Sequence, residues 1–135
     1  MYEDFSIEEK ICVAAIFTNL FKNIISHQFV QPLIMLKNPK LEDLKYFCAN
    51  MVGMTLLDES IRQDCTISKF IWINMDTKNK KLILTKLIEV EKIVKGDPIL
   101  GLLVMQSING VLQELEVRPY SHDENGFHFK QYGIL

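Results

Sequence analysis

Two histidines and a carboxylate near the C-terminus are the side chains with the clearest potential for chemistry. His122 and Asp123 lie in a segment rich in turn-forming residues, and His128 lies on the segment that follows. A tight hairpin would bring the three together, where they could bind a metal ion or act as a general base. A zinc site needs three or four converging ligands, and here only two or three candidates exist. We therefore expect solvated histidines here, and neither a metal site nor a cofactor.

A pair of glutamates upstream offers a second chemistry. Glu114 and Glu116 are two residues apart, which places both side chains on one face if the segment is a strand. Glycosidic acid–base catalysis needs carboxyl groups that oppose each other across a cleft. Neighbours on one face do not meet that need. The pattern indicates either a solvated face or an acidic patch that docks a protein.

The common catalytic and phosphate-binding motifs are absent from the sequence. It contains no G-x-G-x-x-G, no G-x-x-x-x-G-K-[ST], no H-E-x-x-H and no G-x-S-x-G. The lysine-rich stretch 78–95 lacks the arginines and interleaved aromatics that nucleic-acid surfaces favour, so it predicts a solvated helix face. We expect a protein that is not an enzyme and does not bind nucleic acid.

The cysteines and the N-terminus indicate the compartment. Cys12, Cys48 and Cys65 are scattered, which predicts reduced and mostly buried thiols. The N-terminus is acidic and no apolar stretch reaches the ~18 residues of a membrane span. We expect a cytoplasmic protein without a membrane contact.

Helical periodicity defines the elements that must position these groups. Ser6 and Glu9 form the S-x-x-E pattern of a capping box, which predicts a helix over 7–25. A second helix should run from near Lys40 to 53–57, followed by a loop over 58–64. A third should run over 77–95, where glycine and proline stop it.

Strand signals occupy the rest of the chain. β-Branched and aromatic residues predict a strand over 66–75. Asn109 and Gly110 favour a two-residue turn, since both central positions of a type I′ turn need positive φ. The predicted C-terminal antiparallel β-meander consists of a strand over 99–108, that turn, a strand over 111–120, a turn over 121–126 and a strand over 127–132.

These elements predict one α+β domain over residues 1–135, with N-terminal helices packed on the meander. The composition agrees: 48% of residues are hydrophobic and 24% charged, which argues against disorder. The formal net charge of -2 excludes a strongly basic nucleic-acid binder.

The stretch 101–117, GLLVMQSINGVLQELEV, carries a resemblance to a known group of proteins. A hydrophobic strand, an N-G turn, an L-x-E-L-E strand and a polar turn resemble the C-terminal hairpin of small bacterial immunity proteins. Those proteins belong to polymorphic toxin systems, including contact-dependent growth inhibition.

The resemblance implies a non-enzymatic protein that binds one toxin domain tightly and occludes its active site. Many such toxins are nucleases with basic clefts, which an acidic surface complements. The expected partner-binding residues are Glu114, Glu116, Asp123 and Glu124. Further acidic groups at the N-terminus are Glu3, Asp4, Glu8 and Glu9.

Two alternatives stay open. The first is a small enzyme or ligand-binding domain with a cone-shaped fold similar to the nuclear-transport-factor fold. Its pocket would be lined by Phe17, Phe21, Phe47, Trp72 and Tyr132. The second is a phage or mobile-element regulatory protein that forms a homodimer through an edge strand over 99–105 and contacts nucleic acid through the lysine-rich helix.

Overall fold

Helices dominate the part of the chain that the computed structural model describes, residues 2–55, 67–119 and 121–133. The α-helices are α1 (Ile7–Ile25), α2 (Gln31–Met35), α3 (Pro39–Thr55), α4 (Lys69–Asn74), α5 (Thr77–Ile93) and α6 (Pro98–Glu114). Strands β1 (Ser121–Asp123) and β2 (Gly126–His128) form an antiparallel pair. Single 3₁₀ turns span Tyr2–Asp4, Gln28–Val30 and Lys130–Tyr132.

Helix α1 is the central element of the core. Its six consecutive residues from Cys12 to Phe17 are all buried, so this part of the helix has no solvent-facing side. A helix that is apolar on all sides must be surrounded, and α3, α4 and α6 pack around it. The predicted capping box is present: Ser6 Oγ accepts the Glu9 N–H at 3.1 Å, and Glu9 Oε1 accepts the Ser6 N–H at 2.8 Å.

The α+β class is confirmed, with N-terminal helices and a C-terminal two-stranded antiparallel sheet. The helices predicted near 40–57 and over 77–95 correspond to α3 and α5. The loop predicted over 58–64 lies outside the described residues.

The hairpin predicted around Asn109 and Gly110 is wrong, because both residues lie inside helix α6. Asp97 Oδ1 starts the helix by accepting the N–H groups of Ile99 at 3.1 Å and Leu100 at 2.9 Å. The buried residues of α6 then recur at helical spacing: Leu100, Leu103, Val104, Ser107, Ile108, Val111 and Leu112. Burial of this stripe against the other helices outweighs the local turn preference of the Asn-Gly pair. The edge strand expected over 99–105 is also part of this helix.

The strand predicted over 66–75 is wrong for a related reason. Ser68 Oγ accepts the Ile71 N–H at 3.2 Å and begins α4. This short helix buries Trp72, which is 2% exposed, and the following Met75. Enrichment in β-branched and aromatic residues is a weak preference that tertiary packing overrides.

The C-terminal sheet is shorter than predicted. Its register pairs Ser121 with His128 and Asp123 with Gly126, and the chain after β2 turns into a 3₁₀ helix instead of continuing as a strand to 132. Two three-residue strands do not make the curved sheet that the cone-shaped alternative requires, so the described residues do not support that fold. Of its expected pocket residues, Phe17 and Trp72 are core side chains.

Candidate functional site

A groove between α5 and the C-terminal hairpin contains the histidines that the sequence singled out. We call it the hairpin groove. It has a volume of about 710 Å³. Its walls are the second half of α5, the turn that leads into α6, and residues His122–His128 of the hairpin.

Glu91 of α5 connects the helix to the hairpin. Its Oε2 lies 2.9 Å from Nε2 of His122, and its Oε1 accepts the backbone N–H of Phe127 at 3.0 Å. The Glu91 side chain is only 13% exposed. One carboxylate therefore bonds to both strands and holds the hairpin on α5. Sequence reasoning missed this residue, because it looked like an ordinary glutamate on the polar face of a helix.

Gly126 allows this close approach. Its φ is +98°, and a Cβ at this position would lie 2.8 Å from Glu91 Oε1. The positive φ favours glycine, and a Cβ at this position would push the end of the Glu91 side chain away from the hairpin. The turn thus places the glutamate carboxylate directly against the hairpin backbone.

Asp123 and His128 form a second carboxylate–histidine pair, across the hairpin. His128 Nε2 lies 2.9 Å from Asp123 Oδ1, which also accepts the Asn125 N–H at 2.8 Å. The hydrogen bond from His128, and then that from Asn125, lower the pKa of the Asp123 carboxyl. The carboxylate is therefore ionised at neutral pH.

The two histidines thus have carboxylate partners, where solvated side chains were expected. The His122 ring also packs on Phe127, with 4.4 Å between ring centroids. Each histidine has a structural contact that would restrict its use as a free base. Within residues 2–55, 67–119 and 121–133, no group of three or more His, Cys, Asp or Glu side chains is arranged to hold a metal ion.

The four acidic residues expected to bind a partner lie at two different places. Asp123 and Glu124 line the hairpin groove, whereas Glu116 lines a separate hollow at the C-terminal end of α6. The strand face expected to present Glu114 and Glu116 together does not exist, because Glu114 is the last residue of helix α6. Both are exposed, and Glu116 forms an ion pair with Lys69 of α4.

Glu116 also has an unusual backbone conformation, with φ at +57°. The Val117 N–H donates to the Leu112 carbonyl at 2.9 Å, and the Glu116 N–H to the Gln113 carbonyl at 3.1 Å. These two bonds form a Schellman motif, in which glycine usually occupies the left-handed position. A glutamate at this position makes the end of α6 strained.

Two of the three cysteines are described, and both are buried free thiols as expected. Burial raises the pKa of Cys12 to about 11 and that of Cys48 to about 12. Such thiols are protonated at neutral pH and are poor nucleophiles. Cys65 lies outside the described residues.

Comparison with models of protein families, with curated proteins and with solved structures finds no match to this chain. The fold and its side-chain geometry are therefore the basis for any functional assignment. In the described part of the chain, none of the helices is both long and apolar enough to cross a membrane.

Proposed function

We propose that this chain is a non-enzymatic binding protein, specifically an immunity protein that binds a cognate bacterial toxin domain and occludes its active site. The supporting observation is that large apolar side chains are exposed in two pairs, one at the end of α2 and one on α4. Met35 and Leu36 at the end of α2 are 83% and 79% exposed, and Phe70 and Ile73 on α4 are 78% and 55% exposed. Apolar and aromatic residues grouped on a surface are typical of protein interfaces.

The acidic groups support the same proposal. Asp123 and Glu124 lie on the exposed rim of the hairpin groove, and the hydrogen bonds from His128 and Asn125 lower the pKa of the Asp123 carboxyl further below neutral pH. Carboxylates at fixed positions attract and orient a basic surface such as a nuclease cleft. Glu91 and Gly126 hold this rim on α5, so the carboxylates would meet a partner with little loss of conformational freedom.

Growth rescue tests the proposal. The C-terminal region of the protein encoded immediately upstream would be induced in bacteria, with and without co-expression of this chain. We expect toxicity that this chain relieves, followed by co-purification of the two proteins. A non-toxic neighbour, or toxicity that persists with abundant soluble chain, would contradict the proposal. Native mass spectrometry would then show whether the chain carries a bound small molecule.

The structure makes the predicted contact residues separately testable, because they lie at two places. Charge reversal of Asp123 and Glu124 tests the groove rim, and reversal of Glu114 and Glu116 tests the end of α6. Each double variant should weaken toxin binding if its site contacts the toxin, with the thermal melting curve as a folding control. Unchanged affinity in either variant removes that pair from the interface.

A further inference from the structure

A second groove lies between the start of α1 and helix α4, and we call it the α1–α4 groove. It is lined on one side by Glu8 and Glu9 of α1, and on the other by Phe70 and Ile71 of α4. Asp76, at the entry to α5, completes its rim. The groove therefore combines an apolar wall with three carboxylates.

Helix α4 presents the apolar wall because its other face is anchored in the core. Trp72 is buried, and Cys12 Sγ of α1 lies 3.8 Å from the carbonyl oxygen of Ser68. With the helix fixed in this way, Phe70 points outward, and Ile73 extends the apolar surface one turn further along. Because the helix is anchored, the backbone that carries the exposed Phe70 ring is already ordered before a partner binds.

Hydrogen bonds fix Glu9 in the acidic wall. Glu9 Oε2 accepts a hydrogen bond from Asn79 Nδ2 of α5 at 3.1 Å, while Oε1 accepts the Ser6 N–H. Burial alone would raise the pKa of Glu9, but the hydrogen bonds from Ser6 and Asn79 together lower it. Glu9 is thus ionised at neutral pH, and Glu8 and Asp76 are solvent-exposed beside it.

Two lysines near the groove bond to groups outside its lining, and the lining itself is acidic. Among the groove-lining residues that the structure describes, none is lysine or arginine. Lys69, the neighbour of Phe70, is bound to Glu116. Lys80 Nζ is directed at the Ile73 carbonyl oxygen at 3.4 Å and lies 5.8 Å from the centroid of the Trp72 ring. The described lining of the groove therefore carries three carboxylates and no cationic side chain.

We propose that the α1–α4 groove binds a basic segment of a partner protein, with an apolar side chain of that segment packed on Phe70. The three carboxylates would pair with lysine or arginine residues on either side of that contact. Phe70 would be the energetic centre of the interface, since aromatic anchors at the middle of a patch contribute most of the affinity. The inference rests on the proposed function in one respect: the partner would be the toxin domain.

The direct test is fluorescence anisotropy with a fluorescein-labelled peptide of lysine and leucine at helical spacing, and its glutamate–leucine counterpart. The lysine peptide should bind, and Phe70→Ala should weaken binding about tenfold. Glu8→Gln should weaken it roughly threefold, and added salt should reduce the difference. Phe29→Ala and Glu42→Gln are matched controls, because they remove an exposed phenylalanine and an exposed first-turn glutamate elsewhere.

Several results would overturn the inference. The first is that Phe70→Ala binds the lysine peptide as tightly as the unaltered chain does. The second is that Phe29→Ala loses as much affinity for this peptide as Phe70→Ala does. The third is that the glutamate peptide binds as tightly as the lysine peptide. A dimer in sedimentation that Phe70→Ala dissociates would mean that a second copy fills the groove, which also contradicts the proposal. Matching melting curves for all variants guard against an effect of misfolding.

Growth rescue separates this inference from the proposed function. If the chain rescues growth and Phe70→Ala does not, while Phe29→Ala does, both proposals are supported. If no toxin is found but the peptide results hold, the groove inference stands and the immunity role fails. If rescue survives Phe70→Ala, the toxin binds elsewhere and the groove is not its contact.

Discussion

Replacing Gly110 with alanine distinguishes the observed helix α6 from the hairpin that its sequence suggests. Gly110 lies in the helix with no neighbouring atom within 4 Å of the position that a Cβ would occupy. Alanine is favoured over glycine in a helix interior by about 0.8–1.0 kcal/mol. Because Gly110 is near the C-terminal end of α6, we expect the free energy of unfolding to rise by about 0.5–1 kcal/mol.

The size of the thermal effect follows from the length of the chain. Unfolding entropy is about 2.1 cal/mol/K per residue, so 135 residues give about 0.28 kcal/mol/K. The expected rise in melting temperature is therefore about 2–4 °C. Urea denaturation followed by circular dichroism at 222 nm would measure the free energy, and a thermal scan would measure the melting temperature.

A destabilised Gly110→Ala variant would refute the helical assignment. In a type I′ turn, glycine occupies a left-handed position, where alanine costs roughly 1–2 kcal/mol. The two structures therefore predict effects of opposite sign. Gly126→Ala is the matched control, since its positive φ and its contact with Glu91 predict a clear loss of stability for the same chemical change.

Three further predictions concern the end of α6, the hairpin and the thiols. Glu116→Gly should be more stable than Glu116→Gln by about 0.5–1 kcal/mol in urea denaturation, because both lose the ion pair but only glycine relieves the left-handed strain; equal stabilities would contradict this. One backbone amide of β2 donates a hydrogen bond to Glu91. Glu91→Ala should speed hydrogen exchange of that amide by about 10–100-fold, and Glu91→Gln should speed it less. An unchanged rate would show that the carboxylate does not hold the hairpin. In a Cys65→Ser background, iodoacetamide should label Cys12 and Cys48 at least about 100-fold more slowly in the native protein than in urea, because their raised pKa leaves little thiolate; comparable rates would show that the thiols are accessible.

Local signals predicted the helices well where capping and periodicity agreed. The Ser6 capping box and the apolar repeat that follows both favour a helix, and α1 begins and ends where they indicate. Helix α5 likewise ends at Ile93, and Gly96, with a φ of +92°, lies in the turn that follows. Consistency between the local and the global preference makes such elements predictable from one sequence.

The errors have a shared physical cause. The Asn-Gly pair and the β-branched run in α4 are short-range preferences of about 1 kcal/mol or less. Burying the apolar stripe of α6 contributes considerably more, since each fully buried leucine or isoleucine contributes about 1.5–3 kcal/mol. The Asp97 cap was the signal that could have corrected the assignment, because it precedes Pro98 at the first helical position.

The candidate sites were less predictable than the fold. Glu91 bonds to the hairpin across more than thirty positions of sequence, and no local pattern distinguishes it from its neighbours. Phe70 was assigned to a strand, so its exposure could not be anticipated. In contrast, the acidic N-terminus was noted from composition, and Glu8 and Glu9 lie on the α1–α4 groove.

The position of α1 at the centre of the core has a consequence for biosynthesis. Helix α1 is synthesised before α6, which begins at Pro98 and covers part of the α1 surface. At a translation rate of about 5–20 residues per second, the 73 positions from the end of α1 to the start of α6 take roughly 4–15 seconds. During that interval the apolar helix is open to chaperones and to other nascent chains. The yield of soluble protein should therefore depend on holdase chaperones that act before α6 has been translated.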